Sequence, residues 1–196
     1  MLKKFVLGGM TALVLAACGG EGGSASSSAP AQSANASGSL IERINNKGTI
    51  TVGTEGTYAP FTYHDKDGKL TGYDVEVTRA VADKLGVKVE FKETQWDSMM
   101  AGLKAGRFDV VANQVGLTSP ERQATFDKSE PYSWSGAVLV ARKDSNIKSI
   151  DDIKGVKTAQ SLTSNYGEKA KAAGAELVPV DGLAQSLTLI EQKRAD

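Results

Sequence analysis

From residue 40 onward, the chain alternates short β-branched or apolar runs with amphipathic segments of about ten residues. The β-branched and apolar runs predict strands, and the amphipathic segments, most of them bounded by Ser, Asp or Gly, predict helices. The predicted strands are residues 49–54, 87–93, 109–113, 136–142, 157–160 and 176–180. The predicted helices are residues 40–47, 75–85, 97–105, 149–155, 164–173 and 183–192. Strands that are separated by such helices are typical of βαβ units, so the pattern predicts an α/β fold with mainly parallel sheets.

Two local details come from the same pattern. The pair Asp67-Gly68 is a strong signal for a tight hairpin turn. Asp74 is the predicted N-cap of the second helix. The residues that we expect on the buried face of this helix are Val77, Ala80, Val81 and Leu85.

Residues 1–18 have a different pattern, which is typical of a secretory signal. Lys3 and Lys4 precede 13 mostly apolar residues, too few for the roughly 20 that a membrane-spanning helix needs. The end of this segment, Leu-Ala-Ala-Cys at residues 15–18, resembles the lipobox of bacterial lipoproteins. The resemblance implies acylation of Cys18 and an extracytoplasmic protein that is anchored to a bacterial membrane by lipid. The alternative is that Cys18 is only a small residue in a cleavable signal.

Residues 19–39 are predicted to be a flexible linker. Gly, Ala or Ser occupies 17 of these 21 positions. Such a composition has too few large apolar residues to offset the entropy of ordering. We therefore expect the linker to tether a folded domain close to a membrane surface.

Composition excludes several kinds of function. The 196 residues contain 23 basic and 23 acidic side chains, and a neutral chain lacks the basic surplus that is typical of nucleic-acid binding. One Cys and one His exclude an internal disulfide framework, a multi-Cys zinc site and a His-cluster metal site. We therefore expect no metal, no cofactor and no nucleic-acid partner.

Four loops carry the chemically informative residues, and all four come directly after predicted strands. They are residues 55–61, 94–97, 114–122 and 161–165. In open α/β sheets, ligands bind beyond the carboxyl ends of the strands. The pattern therefore predicts that these loops form a binding site.

Five stretches of sequence, in this order, resemble the polar amino-acid family of solute-binding proteins that serve bacterial ABC importers. They are GTEGTYAPFTY (53–63), LTGYDVEV (70–77), WDSMMAGLKAGRFD (96–109), ANQVGLTSPER (112–122) and SEPY (129–132). Asn-Gln-Val at residues 113–115 resembles the cystine-binding branch in particular. The resemblance covers essentially residues 40–196.

The resemblance implies a two-lobed periplasmic-binding-protein fold of type II. Lobe 1 would be residues 40–136 and lobe 2 residues 137–196. We expect the first crossing between the lobes near residues 135–138, where a loop changes to a predicted strand. Relatives continue for several dozen residues, so lobe 2 is expected to be incomplete at its C-terminus. The implied partners are an amino-acid ligand and an inner-membrane ABC permease, and the expected oligomeric state is a monomer.

The ligands of this family are zwitterions, and each charge needs a partner when it leaves water. Arg122 is the implied carboxylate clamp because its planar guanidinium can bind both oxygens. Thr118 is a second donor, whereas Gly116 stands where many relatives carry Ser or Thr, and Ser119 resembles an insertion. Further donors to the carboxylate are implied for the other lobe, at Thr163 and Ser164. The alternatives are an exposed Arg122 at a helix start and a helix cap at residues 163–164.

Other positions are expected around the rest of the ligand. Tyr58, Phe61 and Trp96 would form an aromatic wall, although Phe61 is as well explained as a core residue. Glu55 matches an acidic position that contacts the ligand side chain in some relatives. Gln114 belongs to the cystine-like motif, and Asp196 is the candidate partner of the ligand ammonium.

These observations predict a binding protein and not an enzyme. It would capture a polar amino acid, with cystine or cysteine favoured, and deliver it to the permease by clamshell closure of the lobes. The alternatives are another amino-acid ligand (glutamine, histidine, arginine or glutamate), an enzyme of the dehydratase type on the same fold, and a surface adhesin. Ser145 and Lys148 fit the S-x-x-K pattern of penicillin-binding enzymes, but the companion motifs are missing.

Overall fold

The structure is a computed structural model that describes residues 38–196. The predicted signal segment, Cys18 and residues 19–37 of the predicted linker lie outside the described residues. Within residues 38–196, no helix combines the length and the apolar character needed to cross a membrane.

Helices and strands alternate along most of the described chain. The helices are α1 (Leu40–Lys47), α2 (Tyr73–Leu85), α3 (Trp96–Lys104), α4 (Pro120–Thr125), α5 (Asn165–Ala172) and α6 (Leu183–Glu191). The strands are β1 (Thr49–Thr54), β2 (Thr57–Tyr58), β3 (Thr62–His64), β4 (Leu70–Thr71), β5 (Lys88–Glu93), β6 (Val110–Val111), β7 (Lys157–Gln160) and β8 (Glu176–Pro179). A 3₁₀ helix covers Ile150–Ile153.

The first sheet has β1 at its centre, with β5 and β6 on either side, and both pairings are parallel. Val52 of β1 lies opposite Phe91 of β5 and Val110 of β6. Val52 is fully buried, and it belongs to a core with Ile44, Ile50, Ala82 and Ala112. The parallel α/β arrangement that the sequence predicts is therefore present.

The second sheet pairs β7 with β8, again in parallel, with Ala159 opposite Val178. Helices α5 and α6 contact these two strands. Val180, Leu189 and Ala195 form the core of this part. We call α1 through α4 with their loops the first-sheet side, and residues 150–196 the second-sheet side.

The predicted hairpin turn at residues 67–68 is confirmed. Strands β2, β3 and β4 form a small antiparallel sheet, and β3 and β4 are joined by residues 65–69. The Asp65 carboxylate accepts hydrogen bonds from the backbone N–H groups of Asp67 and Lys69, both at 2.9 Å. Gly68 takes a positive φ of 75°, which glycine adopts without steric cost.

The helix caps match the predicted signals at two further places. Ser39 and Glu42 form a reciprocal capping box at the start of α1, and Gly48 ends the helix in the left-handed conformation. Ser149 and Asp152 form the same arrangement at the 3₁₀ helix. Asp152 is therefore used for capping, as its first-turn position indicates.

The predicted strand at residues 136–142 is wrong, because residues 126–142 contain no helix and no strand. A strand is stable only when its backbone groups pair with a neighbouring strand, and no strand among residues 38–196 pairs with this segment. The segment is instead held at its end, where Arg142 donates to the carbonyl groups of Ile190 and Ala195 at 3.2 and 2.8 Å.

The predicted cap and buried face of α2 are also wrong. Gly72 is the N-cap residue, and Asp74 lies inside the helix with a fully buried side chain. The apolar residues that α2 buries are Val75 and Ala82, whereas Val81 is 48% exposed. The face that contains Asp74 points inward because the loop after β6 donates two hydrogen bonds to this carboxylate.

Candidate functional site

A cleft of about 1380 Å³ is lined by residues from both the first-sheet and the second-sheet sides. Its walls include Glu55, directly after β1, residues 113–118, after β6, and residues 160–161 at the end of β7. The carboxyl ends of these parallel strands therefore face the cleft, as expected for an α/β ligand site.

Most of the predicted site residues line this cleft. They are Glu55, Tyr58, Phe61, Trp96, Gln114, Gly116, Thr118, Ser164 and Asp196. The other two predicted residues, Arg122 and Thr163, are hydrogen-bonded to each other. The structure thus brings all eleven residues to the cleft or to its immediate neighbours.

Arg122 connects the two sides of the cleft. It lies on α4 with only 8% of its surface exposed, so the alternative of an exposed arginine is wrong. Its Nη1 donates to the Gly116 carbonyl at 3.1 Å, and its Nη2 donates to the Thr163 carbonyl at 2.7 Å. The guanidinium carbon lies 5.5 Å from the centre of the Trp96 ring, which is the distance of a cation–π contact.

Two residues that depart from the family pattern, Gly116 and Ser119, lie close to Arg122. Ser119, which resembles an insertion, is the N-cap of α4, and its Oγ accepts the Arg122 backbone N–H at 3.3 Å. At Gly116, a Cβ atom would have its closest neighbour at 3.9 Å, on Thr118. A Ser side chain would therefore fit at Gly116, and the backbone carbonyl of this glycine is already used by Arg122.

Asp97 also joins the two sides, and the sequence did not identify it as a site residue. Its Oδ1 accepts hydrogen bonds from the Thr163 backbone N–H at 3.0 Å and from the Thr163 hydroxyl at 2.7 Å. Its Oδ2 accepts the Leu162 N–H at 3.3 Å. The N–H and hydroxyl groups expected to bind a ligand carboxylate therefore bind a carboxylate of the protein itself.

The Ser164 alternative is confirmed as a helix cap. Ser164 is the N-cap of α5, and its Oγ accepts the Gly167 N–H at 2.9 Å. The same side chain lines the cleft. Capping and ligand contact are thus compatible at this residue.

Asn113 fixes the position of Glu55. The Asn113 side chain donates to Glu55 Oε2 at 2.6 Å and accepts the Glu55 backbone N–H at 2.8 Å. Burial raises the pKa of Glu55, the Asn113 hydrogen bond lowers it, and the Asp97 charge raises it again, with a net increase. A carboxylate is thus held at the cleft in a defined orientation, and protonation becomes easier than for an exposed Glu.

Asp74 fixes the position of Gln114 in a similar way. The Asp74 carboxylate accepts the Gln114 backbone N–H at 2.7 Å and the Gln114 side-chain amide at 2.6 Å. Gln114 has a positive φ of 51°, which non-glycine residues seldom adopt. The Ser133 hydroxyl donates to Gln114 Oε1 at 3.0 Å. Burial raises the pKa of Asp74, although the Gln114 and Tyr132 hydrogen bonds oppose this rise.

The aromatic residues form part of the cleft wall. The rings of Tyr58 and Phe61 lie 5.1 Å apart at an angle of 49°, and burial raises the pKa of Tyr58. The buried Trp96 Nε1–H has no hydrogen-bond acceptor among residues 38–196. Tyr166 of α5, which the sequence did not single out, lines the cleft from the second-sheet side.

Asp196 lines the cleft but already has a cationic partner. Its Oδ1 accepts a hydrogen bond from Arg142 Nη2 at 3.0 Å, and its backbone N–H donates to the Lys157 carbonyl at 2.9 Å. A ligand ammonium at Asp196 would share this carboxylate with Arg142. The role of Asp196 in ligand binding remains a prediction.

A cleft that is lined from two parallel sheets, with a buried arginine beside it and carboxylates on its walls, is typical of a small-molecule binding site. The chain belongs to the bacterial extracellular solute-binding proteins, family 3, whose profile matches residues 50–191. The predicted family, the α/β binding-protein fold and the prediction of a non-enzymatic protein are thereby confirmed.

Two curated relatives are similar over most of the chain. A probable amino-acid ABC transporter-binding protein of Haemophilus influenzae is 61% identical, over 81% of this chain and 62% of that protein. The L-cystine-binding protein TcyA of Bacillus subtilis is 60% identical, over 81% of this chain and 59% of that protein. The chain thus spans about three fifths of the length of these relatives.

Solved structures are similar as well. The ancestral amino acid-binding protein AncCDT-1, a precursor of cyclohexadienyl dehydratase, matches with a TM-score of 0.75 and 36% identity, over 81% of this chain and 72% of that chain. The L-cystine solute receptor of Neisseria gonorrhoeae, in its unliganded open conformation, is 96% identical over 81% of this chain and 68% of that chain, with a TM-score of 0.49.

Proposed function

We propose that this protein captures an amino acid, with L-cystine favoured, outside the cytoplasm and delivers it to an ABC importer. The observation that carries the proposal is the buried Arg122, which contacts both sides of the cleft. Family membership supports solute binding, and a relative at 60% identity is named an L-cystine-binding protein. The chemistry of the cleft supports a zwitterionic ligand.

Arg122 would bind the ligand carboxylate. A buried guanidinium can donate two parallel hydrogen bonds to a carboxylate, and such charge-assisted bonds are stronger than neutral ones. In the structure, its Nη groups donate to the carbonyls of Gly116 and Thr163. Because these acceptors are neutral, a ligand carboxylate would be a stronger partner for the same donors.

Acidic side chains would bind the ligand ammonium. Glu55 is oriented by Asn113, and Asp196 is held beside Arg142. Tyr58, Phe61 and Trp96 would cover the apolar atoms between the charged groups, and the Trp96 N–H would donate to a ligand acceptor. Excluding water strengthens each of these contacts.

Cystine has two zwitterionic ends, so it needs two sets of charged partners. The cleft offers Arg122 and the acidic residues named above, together with Lys128 and Lys169 on its lining. A second carboxylate and a second ammonium can therefore be paired within one cleft. A ligand with a single charged end would leave some of these groups without a ligand partner.

Ligand binding would draw residues 40–136 and residues 137–196 together as two lobes, and a permease would recognise the closed form. Hinge closure around a ligand is established for periplasmic binding proteins as a class. Contacts from Arg122 and Asp97 to the loop at residues 162–163 already connect the two sides. We propose that the protein acts as a monomer, with one ligand for each chain.

Lipid anchoring at Cys18 is a further part of the proposal, and it rests on the sequence of residues 1–18. Two or three acyl chains would anchor the protein stably to a bacterial membrane. Bacteria that express the protein and grow with radiolabelled palmitate should transfer label to the wild type and not to Cys18→Ser. Equal labelling of the two proteins would contradict the anchor.

A thermal-shift screen of the full chain tests the ligand proposal. L-cystine, L-cysteine, glutamine, histidine, arginine and glutamate would be added separately to the purified protein. A ligand at a hundredfold excess over its Kd stabilises a protein by about 2.7 kcal/mol, which raises the Tm by roughly 5–10 °C for a domain of this size. We expect the largest shift with L-cystine. A larger shift with another amino acid would reassign the ligand, and no shift with any of them would contradict amino-acid capture.

A further inference from the structure

We propose that Asp97 is a built-in competitor of the ligand carboxylate and thereby sets the affinity of the site. The inference rests on the proposed function, because it concerns the donors that would bind the amino-acid carboxylate. It is carried by the hydrogen bonds of Asp97 to the loop at residues 162–163. The sequence places Asp97 at the end of a predicted site loop and at a helix start, but it does not indicate its contact with Thr163.

The contact joins two distant parts of the chain. Asp97 lies in the first turn of α3, and Thr163 lies 66 positions later, between β7 and α5. Three donors meet the two carboxylate oxygens: the Thr163 hydroxyl at 2.7 Å, the Thr163 N–H at 3.0 Å and the Leu162 N–H at 3.3 Å. One carboxylate thus uses the hydrogen-bonding groups that this loop presents to the first-sheet side.

The bound group is chemically equivalent to the expected ligand group. An α-carboxylate and the Asp97 carboxylate have the same charge, the same two oxygens and the same demand for N–H and O–H donors. Each Thr163 donor has one hydrogen, so a ligand carboxylate can bind there only after Asp97 has moved away. The two carboxylates also repel each other at close range.

The contact lies beside the cleft, between residues that are exposed to solvent. Trp96, the residue before Asp97, stacks against Arg122, and Arg122 donates to the carbonyl of the same Thr163. Asp97 is also close enough to Glu55 to raise the pKa of that carboxyl. The competitor therefore lies on α3 directly after Trp96, which is one residue of the aromatic wall and contacts the proposed carboxylate clamp.

Competition of this kind reduces the apparent affinity in a defined way. When only a fraction of the protein has free Thr163 donors, the measured Kd is the intrinsic Kd divided by that fraction. The ligand can bind only while the contact between Asp97 and Thr163 is broken. The contact therefore lowers the association rate of the ligand and leaves its dissociation rate unchanged. Removing the Asp97 charge should therefore increase the association rate.

The test compares Asp97→Asn with the wild type by stopped-flow tryptophan fluorescence, using L-cystine and the full chain. Asn keeps the size of the side chain and one acceptor oxygen, but it removes the negative charge and places an NH2 group where the second oxygen accepts a loop N–H. We expect the association rate constant to rise about 3- to 10-fold, the usual range for the loss of such a hydrogen bond, with an unchanged dissociation rate and an equal fall in Kd. Asp97→Ala should act in the same direction.

The matched control is Asp83→Asn, which removes one exposed negative charge from α2, away from the cleft lining. Asp83→Asn should leave both rate constants unchanged. Amide hydrogen exchange of the unliganded proteins adds a readout that needs no ligand. Exchange at Leu162 and Thr163 should be faster in Asp97→Asn than in the wild type.

Each outcome has a separate meaning. If the wild type binds L-cystine and Asp97→Asn binds it equally or more weakly, the competitor role is overturned. Weaker binding by Asp97→Asn would make Asp97 a ligand contact. Unchanged exchange at Leu162 and Thr163 would overturn the contact itself. Absence of binding by both proteins to any amino acid would instead contradict the proposed function.

Discussion

At the scale of single residues, the cleft depends on side chains that orient other side chains. Asn113 is 2% exposed and bonds both the backbone and the carboxylate of Glu55. Asp74 is completely buried and bonds both the backbone and the side chain of Gln114. These bonds fix the two lining residues before any ligand arrives, which reduces the entropy cost of binding.

The pKa of Glu55 gives a prediction for the pH dependence of binding. An ammonium contact needs the ionised carboxylate, and the raised pKa means that Glu55 takes up a proton at a higher pH than an ordinary Glu. L-cystine affinity should therefore fall as the pH is lowered from neutral through this pKa. Glu55→Gln should bind more weakly at neutral pH and lose this part of the pH dependence. Calorimetry at several pH values measures both, and identical pH profiles would contradict an ammonium contact at Glu55.

The bond between Asp74 and Gln114 gives a prediction for stability. Asp74→Asn would replace one of the two acceptor oxygens with an amide NH2 group that faces a Gln114 donor, so we expect a loss of about 1–3 kcal/mol. Gln114→Gly would accept the positive φ of 51° without strain, and the penalty of Asp74→Asn should be smaller in that background. Urea unfolding of the two single variants and the double variant measures the coupling. Strictly additive effects would show that Asp74 does not hold Gln114.

The sequence predicts some of these residues and misses others for a physical reason. Arg122, Trp96 and Glu55 belong to short motifs, so their chemistry is visible locally. Asp97 and Asp74 depend on partners that lie 66 and 40 positions away. Their neighbours in sequence indicate helix starts and, for Asp97, a loop of the site, but only the fold shows that one carboxylate meets Thr163 and the other meets Gln114.

At the scale of elements, one buried aromatic ring lies between α3 and β1 on the first-sheet side. Phe108 is 3% exposed, and it lies between Gly53 of β1 and Gly102 of α3. A Cβ atom would lie 2.6 Å from the ring at Gly53 and 2.8 Å from it at Gly102. Glycine at both positions therefore allows helix and strand to approach each other with Phe108 between them.

This packing predicts that Gly102→Ala destabilises the protein. The added methyl group would overlap the buried Phe108 ring, and overpacking of this kind typically costs about 1–3 kcal/mol. Gly136→Ala is the matched control, because a Cβ atom at Gly136 would have no neighbour within 4 Å among the described residues. Denaturant unfolding should show a lower midpoint for Gly102→Ala and none of this loss for Gly136→Ala. Equal midpoints would contradict the packing argument.

Elements with their own start and stop signals are predicted well, and those that depend on partners are not. Helix α1 has its capping box and its terminal glycine, and β7 matches the predicted residues 157–160. Residues 136–142 have a strand-like composition, but no neighbouring strand among the described residues pairs with them. The buried face of α2 is set by Asp74, whose partner comes from the loop after β6.

At the scale of the whole molecule, two parallel sheets contribute to a single cleft whose lining carries opposite charges. Arg122 and Asp97, both on the first-sheet side, bind the carbonyl and the donors of Thr163 respectively. The loop at residues 162–163 is thus bound both through a backbone carbonyl group and through backbone N–H groups. In the proposed function, an amino-acid carboxylate would replace Asp97 at the donors of this loop while Arg122 turns to the same ligand.

Calorimetry can test whether Arg122 binds the carboxylate of an amino acid in this cleft. L-cystine would be titrated into the wild type, Arg122→Ala and Arg107→Ala, with folding of each protein verified by circular dichroism. Arg107 is exposed, so its removal matches the change in charge. We predict binding by the wild type and by Arg107→Ala, and a loss of at least about 30-fold for Arg122→Ala, which corresponds to about 2 kcal/mol or more for a buried charge pair. Near-normal affinity of a folded Arg122→Ala would contradict a contact between Arg122 and the ligand carboxylate.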